Sequence, residues 1–330
     1  MSKTACGRNH RQAGCAVTGM ALAEFDLIRR YFASHTLQHP FNQLGIGDDC
    51  ALLTIPPGHQ LAVTTDTMVE NVHFFADTDP ERLGHKLLAV NLSDLAAMGA
   101  EPFAVTLALT LPKTDEYWLQ AFSKGFMQLA RQYNVDLIGG DTTSGPLTLS
   151  VQAMGVVPTG KALLRSKAKI GDRVYVTGQV GNAGLGLKVK QGYVCDQPEP
   201  LLQSLDQPQP RVAEGLVLRG VAHACIDISD GLAADLNHIL EKSGVGAVLH
   251  MDRLPMSTAV MDYIERTGDW RLPLIAGDDY ELCFTVSQAI EEQALKAFYC
   301  IGEIVSEPGL RIERAGRLET MEIRGYEHFS

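Results

Sequence analysis

The feature that most constrains this chain is an acidic turn that keeps returning. Aspartates flanked by Gly, Ser or Thr stand in "GIGDDC" (Asp48, Asp49), "TTDT" (Asp66), "NLSDLAAMG" (Asp94) and "GGDTTSG" (Asp141). They return in "DISDG" (Asp227, Asp230) and "AGDDYEL" (Asp278, Asp279). Most lie where an apolar strand ends or a helix begins, which is where a fold presents side chains to a cleft. Asp48 and Asp49 repel each other, with no Lys or Arg nearby in sequence. Such a set calls for a cation. Asp oxygens with Ser and Thr hydroxyls are hard ligands, suited to Mg²⁺ rather than zinc or copper. No EF-hand spacing is present.

Each position also has a plainer reading. A single Asp beside Gly commonly forms a turn or caps a helix. By itself Asp230, before "GLAADL", reads as an N-cap, and Asp279 as a turn residue. Asp94 differs, because it sits inside an apolar helical pattern where an unpartnered carboxylate is costly. Taken together, the set favours metal binding.

Composition narrows the field. A length of 330 residues suggests two domains. A formal net charge of −11 argues against non-specific binding to nucleic acid or an anionic membrane. No apolar run approaches the ~20 residues that span a bilayer. The seven cysteines include no C-x-x-C pair, so they read as structural thiols of a reducing, cytoplasmic compartment rather than a zinc site. Residues 1–20 lack both a regular period and a secretory apolar stretch, and are expected to be a disordered extension ahead of a start at Met20.

Periodicity places the motifs on elements. A helix is expected over Leu22–Ala33, then a strand in "QLAVTTDTMV". "PERLGHKLLAVNLSDLAAMGA" reads as a helix stopped at Gly99, and "AVTLALTLP" as a strand closed by Pro112. A second amphipathic helix runs from Asp115 to Tyr133 with Thr114 as its N-cap. "VDLIGGDTTSGPLTLSVQAMGVV" reads as strand, Gly/Asp/Thr turn, and long strand. The basic loop of residues 158–171 marks a boundary between an N-terminal domain (21–158) and a C-terminal domain (159–330). Residues 197–210 read as a Pro/Gln-rich surface segment. "CIDISDGLAADLNHILEKSG" reads as strand, turn and a helix stopped at Gly244. Helices and strands mix without strict alternation, so the expected class is α+β.

Familiar phosphate devices are missing. There is no G-x-x-x-x-G-K-[ST] loop, no H-R-D or D-F-G, and no G-x-S-x-G elbow. Any nucleotide chemistry uses another architecture.

The motifs "GIGDDCALL", "TTDTMVENVHF", "KLLAVNLSDLAAMGAEP", "LIGGDTTSGPL", "DISDGLAADL", "GDDYELCF" and the closing "GYEHF" resemble those of the bacterial thiamine-monophosphate kinases. That family belongs to the superfamily of aminoimidazole ribonucleotide synthetase and selenophosphate synthetase, and the resemblance covers residues 22–329. It implies a two-domain fold whose N-terminal domain pairs its sheet across a homodimer, with a C-terminal α/β domain. It also implies ATP-dependent phosphorylation of thiamine monophosphate to thiamine diphosphate with several Mg²⁺ ions. By motif match, Asp49, Thr64, Thr65, Asp66, Asp94, Asp141, Asp227 and Asp230 would serve the metals. Gly140, Asp141, Arg165 and Ser229 would contact ATP, and His73, Asp278 and Tyr326 the thiamine phosphate. The family often has Glu where this chain has Asp278. Without the resemblance, Arg165 is as readily a solvated loop residue as a phosphate ligand. His73 and Tyr326 read alone as packed side chains.

The implied chemistry is physically coherent. Two like charges 4 Å apart repel by ~1 kcal/mol in water and ~4 kcal/mol at an effective dielectric of 20. Bridging cations would offset that repulsion between two polyanionic substrates. A phosphate monoester, with a second pKa near ~6, is already a nucleophilic dianion at neutral pH. The absence of an evident catalytic base therefore fits direct in-line transfer. The nearest alternative, a selenophosphate synthetase-like enzyme, would draw on Cys6 or Cys15, but neither is followed by the expected lysine-bearing pattern.

Overall fold

In this computed structural model, which describes residues 24–32 and 37–321, the apolar runs sort into two sheets and a shared helical spine. Residues 1–20 and Tyr326 lie outside the described residues. The first half comprises α1 (Glu24–Tyr31), a small hairpin of β1 (Asn42–Leu44) and β2 (Leu52–Leu53), β3 (His59–Val69) and α2 (Pro80–Ala97). It continues with β4 (Glu101–Leu111), α3 (Glu116–Gln132), β5 (Asp136–Ser144) and β6 (Thr148–Pro158). Four of these strands form a sheet in the order β3-β6-β4-β5, antiparallel except for β4 and β5. Helix α3 makes the crossover that a parallel pair requires.

Helices α2 and α3 cross at very short range. A Cβ on Gly125 would stand 1.9 Å from the Glu81 carbonyl oxygen, and one on Gly84 would stand 2.2 Å from that of Phe122. The approach brings Leu83, Leu87, Phe122 and Phe126 into one fully buried layer. Each such side chain contributes about 2 kcal/mol by leaving water, and a Val at either glycine would force the helices apart.

The second half comprises β7 (Arg173–Val176), α4 (Asn182–Lys190), α5 (Glu199–Asp206), α6 (Val212–Leu218), β8 (Ala222–Asp227) and α7 (Leu232–Ser243). It closes with β9 (Gly246–His250), α8 (Thr258–Thr267), α9 (Leu272–Ile275), β10 (Leu282–Val286), β11 (Tyr299–Val305), β12 (Gly309–Arg314) and β13 (Arg317–Thr320). Its seven strands run β13-β12-β9-β11-β7-β10-β8. One face packs Val174, Val176, Ile226 and Cys283 against Leu232, Leu236 and Ile239 of α7. The other face, with Tyr175, Leu282 and Phe284, joins α2, α3 and α6 in a core continuous with the first sheet. Helix α2 is thus buried between both halves, and the α+β class is borne out.

Three local expectations are corrected. The N-cap of α3 is Asp115, not Thr114; its carboxylate accepts from the Trp118 N–H at 3.1 Å. "GGDTTS" is not a turn but the end of β5, because β4 offers ladder partners as far as Leu111 opposite Ser144. Within residues 197–210 lies α5, whose Leu201 and Leu205 recur at helical spacing and are buried. There the Pro/Gln composition masked an i, i+4 pair.

Candidate active site

Lys86, Val90 and Asp94, four residues apart along α2, lie on one helical face and line a cavity of about 1230 Å³ between the two halves. β3 contributes Thr65 and Asp66, and the loop after it contributes His73. The C-terminal end of β8 supplies Asp227, followed by Ser229 and Asp230. The loop entering β10 supplies Asp278 and Tyr280.

The acidic end is held by donors from three directions. The Asp66 N–H donates to Asn91 Oδ1 at 3.2 Å, and Asn91 Nδ2 donates to the Leu87 carbonyl at 2.9 Å. The Thr64 hydroxyl donates to Asp94 Oδ2. Ser93 Oγ donates to Asp227 Oδ2 at 2.7 Å, fastening α2 to the end of β8. Desolvation and the Asp94 carboxylate raise Asp66 to about 6. Desolvation, with Asp94 again adding, raises Asp227 to about 8. Asp94 is raised by desolvation, against the Thr64 hydrogen bond and the Arg165 charge. These groups are crowded by like charge, and a cation among them would restore their ionised forms.

Asp235 closes the neighbouring loop. Its Oδ2 accepts the N–H groups of Ser229, Asp230 and Gly231 at 2.9, 3.0 and 3.1 Å. The N-cap of α7 is Gly231, so the reading of Asp230 as the N-cap residue is corrected; Asp230 stands one residue earlier and lines the cavity. Asp279 is likewise more than a turn residue. Its carboxylate accepts the N–H groups of Gly181 at 2.7 Å and Ala183 at 3.4 Å, at the start of α4.

The loop entering β10 lies directly on the loop leaving β8. Asp278 N–H donates to the Ser229 carbonyl at 2.9 Å, and Tyr280 N–H to that of Ile228 at 2.8 Å. Only glycine fits at 277, where a Cβ would meet the Ser229 carbonyl oxygen at 2.2 Å. At the same end, the Val69 N–H donates to His73 Nδ1 at 3.0 Å. That leaves the proton of a neutral ring on Nε2.

Thr65, Asp66, Asp94, Asp227, Asp230, Ser229, His73 and Asp278 are therefore brought together around one cavity. Thr64 stands behind them through Asp94. Asp49 is exposed beside β2, its N–H donating to Asp48 Oδ1 at 3.1 Å. Gly140 and Asp141 are exposed on β5, at the sheet edge opposite β3. Arg165 is exposed too, though its charge reaches Asp94 and Asp235. Among the described residues, no group of three or more His, Cys, Asp or Glu side chains is arranged to hold a metal ion unaided. Lys86, Tyr280 and Asp235 were missed from sequence. For Lys86 the signal was present: a charge in an apolar helical stretch, two turns before Asp94.

The two-domain architecture and its acidic cavity define a protein of the AIR synthase related class. The model of that class's N-terminal domain matches residues 47–157, and the model of its C-terminal domain matches residues 169–314. Within that class, the chain belongs to the thiamine-monophosphate kinase family. It is 46% identical over 324 residues to the thiamine-monophosphate kinase of Salmonella typhimurium, spanning 94% of this chain and 99% of that relative. The crystal structure of thiamine-monophosphate kinase from Stenotrophomonas maltophilia superposes with a TM-score of 0.82 at 44% identity, covering 89% of this chain and 98% of that one. AaThiL complexed with AMPPCP and TMP superposes at 0.75 with 29% identity, covering 84% and 89%.

Proposed function

We propose that this chain transfers the γ-phosphoryl group of ATP to the phosphate of thiamine monophosphate, yielding thiamine diphosphate and ADP. One observation carries the reading: a single cavity joins Asp66, Asp94, Asp227 and Asp230 to His73 and Asp278. The complex of AaThiL with AMPPCP and TMP supports the same pair of ligands. An acceptor phosphate oxygen forms the new bond to the γ-phosphorus as the bond to the β,γ-bridging oxygen breaks. The acceptor dianion needs no general base, so the chain's work is to position the two phosphates and balance their charge.

The donor set fits Mg²⁺ in its chemistry: Asp66, Asp94, Asp227 and Asp230, with Thr64 and Thr65, offer only oxygen. Mg²⁺ held there supplies charge neutralisation and Lewis acidity toward the phosphates. We assign Asp49 and Asp141, which stand outside this cavity, to further Mg²⁺ ions, with Gly140, Asp141, Arg165 and Ser229 serving ATP. His73, Asp278 and Tyr326 serve the acceptor.

The reading extends to a cytoplasmic homodimer. Strand β3 is the sheet edge and exposes Leu61 and Val63 on the face away from α2. An eleven-residue edge carrying apolar side chains is a template for pairing with a second copy. Light scattering of the intact chain is expected to give twice its 35.9 kDa; a monomer mass sinks the dimer. Among the described residues, no helix is long and apolar enough to cross a membrane.

The kinase reading is tested by chromatographic detection of thiamine diphosphate from ATP, Mg²⁺ and thiamine monophosphate. Product that disappears on chelation of Mg²⁺ supports it. Absence of product from folded protein that binds ATP removes it.

A further inference from the structure

Lys86 has no role in the scheme above, yet its setting is costly. Three lysines line the cavity, and Lys86 alone is buried, at 4% exposure. Lys188 is exposed, and Lys190 pairs with Asp206 at 2.9 Å. An ammonium inside an apolar helix face is unfavourable unless it is paired, and a Met would fill the same space without that cost. Lys86 Nζ meets Asp278 Oδ2 at 3.1 Å. The other oxygen of Asp278 accepts the Tyr280 hydroxyl at 3.0 Å. Asp278 itself sits at φ +69°, in the left-handed region that non-glycine residues seldom occupy. Its carboxylate is thus gripped on both oxygens, on a constrained backbone, at the wall of the cavity.

From this we infer that Lys86 is a positioning residue that sets specificity for the acceptor. With Asp278 it forms a fixed positive–negative pair, matched to an acceptor that carries both a cationic ring and a phosphate. The inference rests on the kinase reading of the same cavity, because thiamine monophosphate is such a zwitterion. Asp278 faces the thiazolium side, and Lys86 faces the phosphate. A phosphate monoester without a positive ring brings no cation of its own to the Asp278 end of the pair and competes with Asp278 for Lys86. The pair thereby separates acceptors by charge layout as well as by shape.

The test is steady-state kinetics of the wild type, Lys86→Met, Lys86→Arg, Asp278→Asn and the Lys86→Met/Asp278→Asn double variant, with melting curves for each. Lys86→Met is expected to raise KM for thiamine monophosphate about 10-fold or more, while KM for ATP stays within about twofold and kcat within about threefold. Lys86→Arg is expected to recover most of that loss, which a purely structural role would not predict. The double variant is expected to be about as impaired as the worse single one, as coupled partners are. If Lys86→Met does not fold, Lys86→Arg and Asp278→Asn carry the same KM comparison. An unchanged acceptor KM in folded Lys86→Met, or an ATP KM that rises in parallel, overturns the inference while leaving the kinase reading intact. A wild type that forms no thiamine diphosphate removes both, and that control tells the two failures apart.

Discussion

Asp227 and Asp235 stand eight residues apart, at 3% and 2% exposure, on the strand and helix that flank one turn. Both are held above the ordinary carboxylate range by desolvation, Asp227 to about 8 and Asp235 to about 7. Their surroundings differ. Asp235 gathers three backbone N–H donors on one oxygen. Asp227 has the Ser93 hydroxyl and faces the charges of Asp94 and Asp235; the Asp94 charge outweighs that hydroxyl, whereas the charge of Asp230 on Asp235 ranks behind a backbone donor. The first is a complete hydrogen-bonded device that shapes a loop. The second is crowded by like charge, the condition a bound cation relieves. Burial alone therefore does not mark a functional carboxylate; an unmet demand for positive charge does.

The comparison breaks most visibly at Asp227. Asp227→Asn is expected to lower kcat/KM about 10³-fold, while the metal-free protein becomes more stable by about 1 kcal/mol or more at neutral pH, because a carboxyl that burial forces to take up a proton on folding is gone. Activity near wild type, or a loss of stability, would erase the distinction. Asp235→Ala should do the reverse in emphasis. It strands three backbone donors, so denaturant melts should show a loss of about 3 kcal/mol. The activity of the folded fraction should fall only about 10-fold, through a loosened Ser229–Asp230 loop.

A smaller effect sharpens the contrast by pH. A carboxylate whose folded pKa exceeds its unfolded value near ~3.9 keeps its proton longer in the folded state. Stability is then greatest at low pH and falls as pH rises toward the folded pKa. For Asp66, Asp235 and Asp227 that window runs from about pH 4 to about 6, 7 and 8 respectively. Melts of metal-free protein should show this decline. Mg²⁺ with ATP should flatten the share from Asp66 and Asp227 and leave that from Asp235. Equal flattening in an Asp235→Asn background and in an Asp227→Asn background would count against separate roles.

Much of this was legible in the sequence because periodicity is local. Helices α2, α3 and α7, and strand β4, follow from spacing alone, and the family motifs named eight residues that do line the cavity. The rest depended on what lies across space. β5 holds small residues that favour turns, but its ladder with β4 overrides them. Asp141 looks like Asp66 in sequence, yet the two strands are opposite edges of the sheet, about 14 Å apart at ~4.8 Å per strand. Lys86 was hidden for the converse reason: its partner Asp278 is 192 residues away.

The contact at Gly277 carries a consequence for how such a protein diversifies. The turn bearing Ser229 and the turn bearing Asp278 prolong the pairing of β8 with β10, and their backbones touch with no room for a methyl group. Neither turn can gain or lose a residue without breaking the bonds of the other. A change in the length of one turn therefore calls for a matching change in the other. New acceptors become available to a chain of this build through exchanges of side chains on a fixed frame, such as one acid for another at position 278, and insertions are confined to rims that this double turn does not reach.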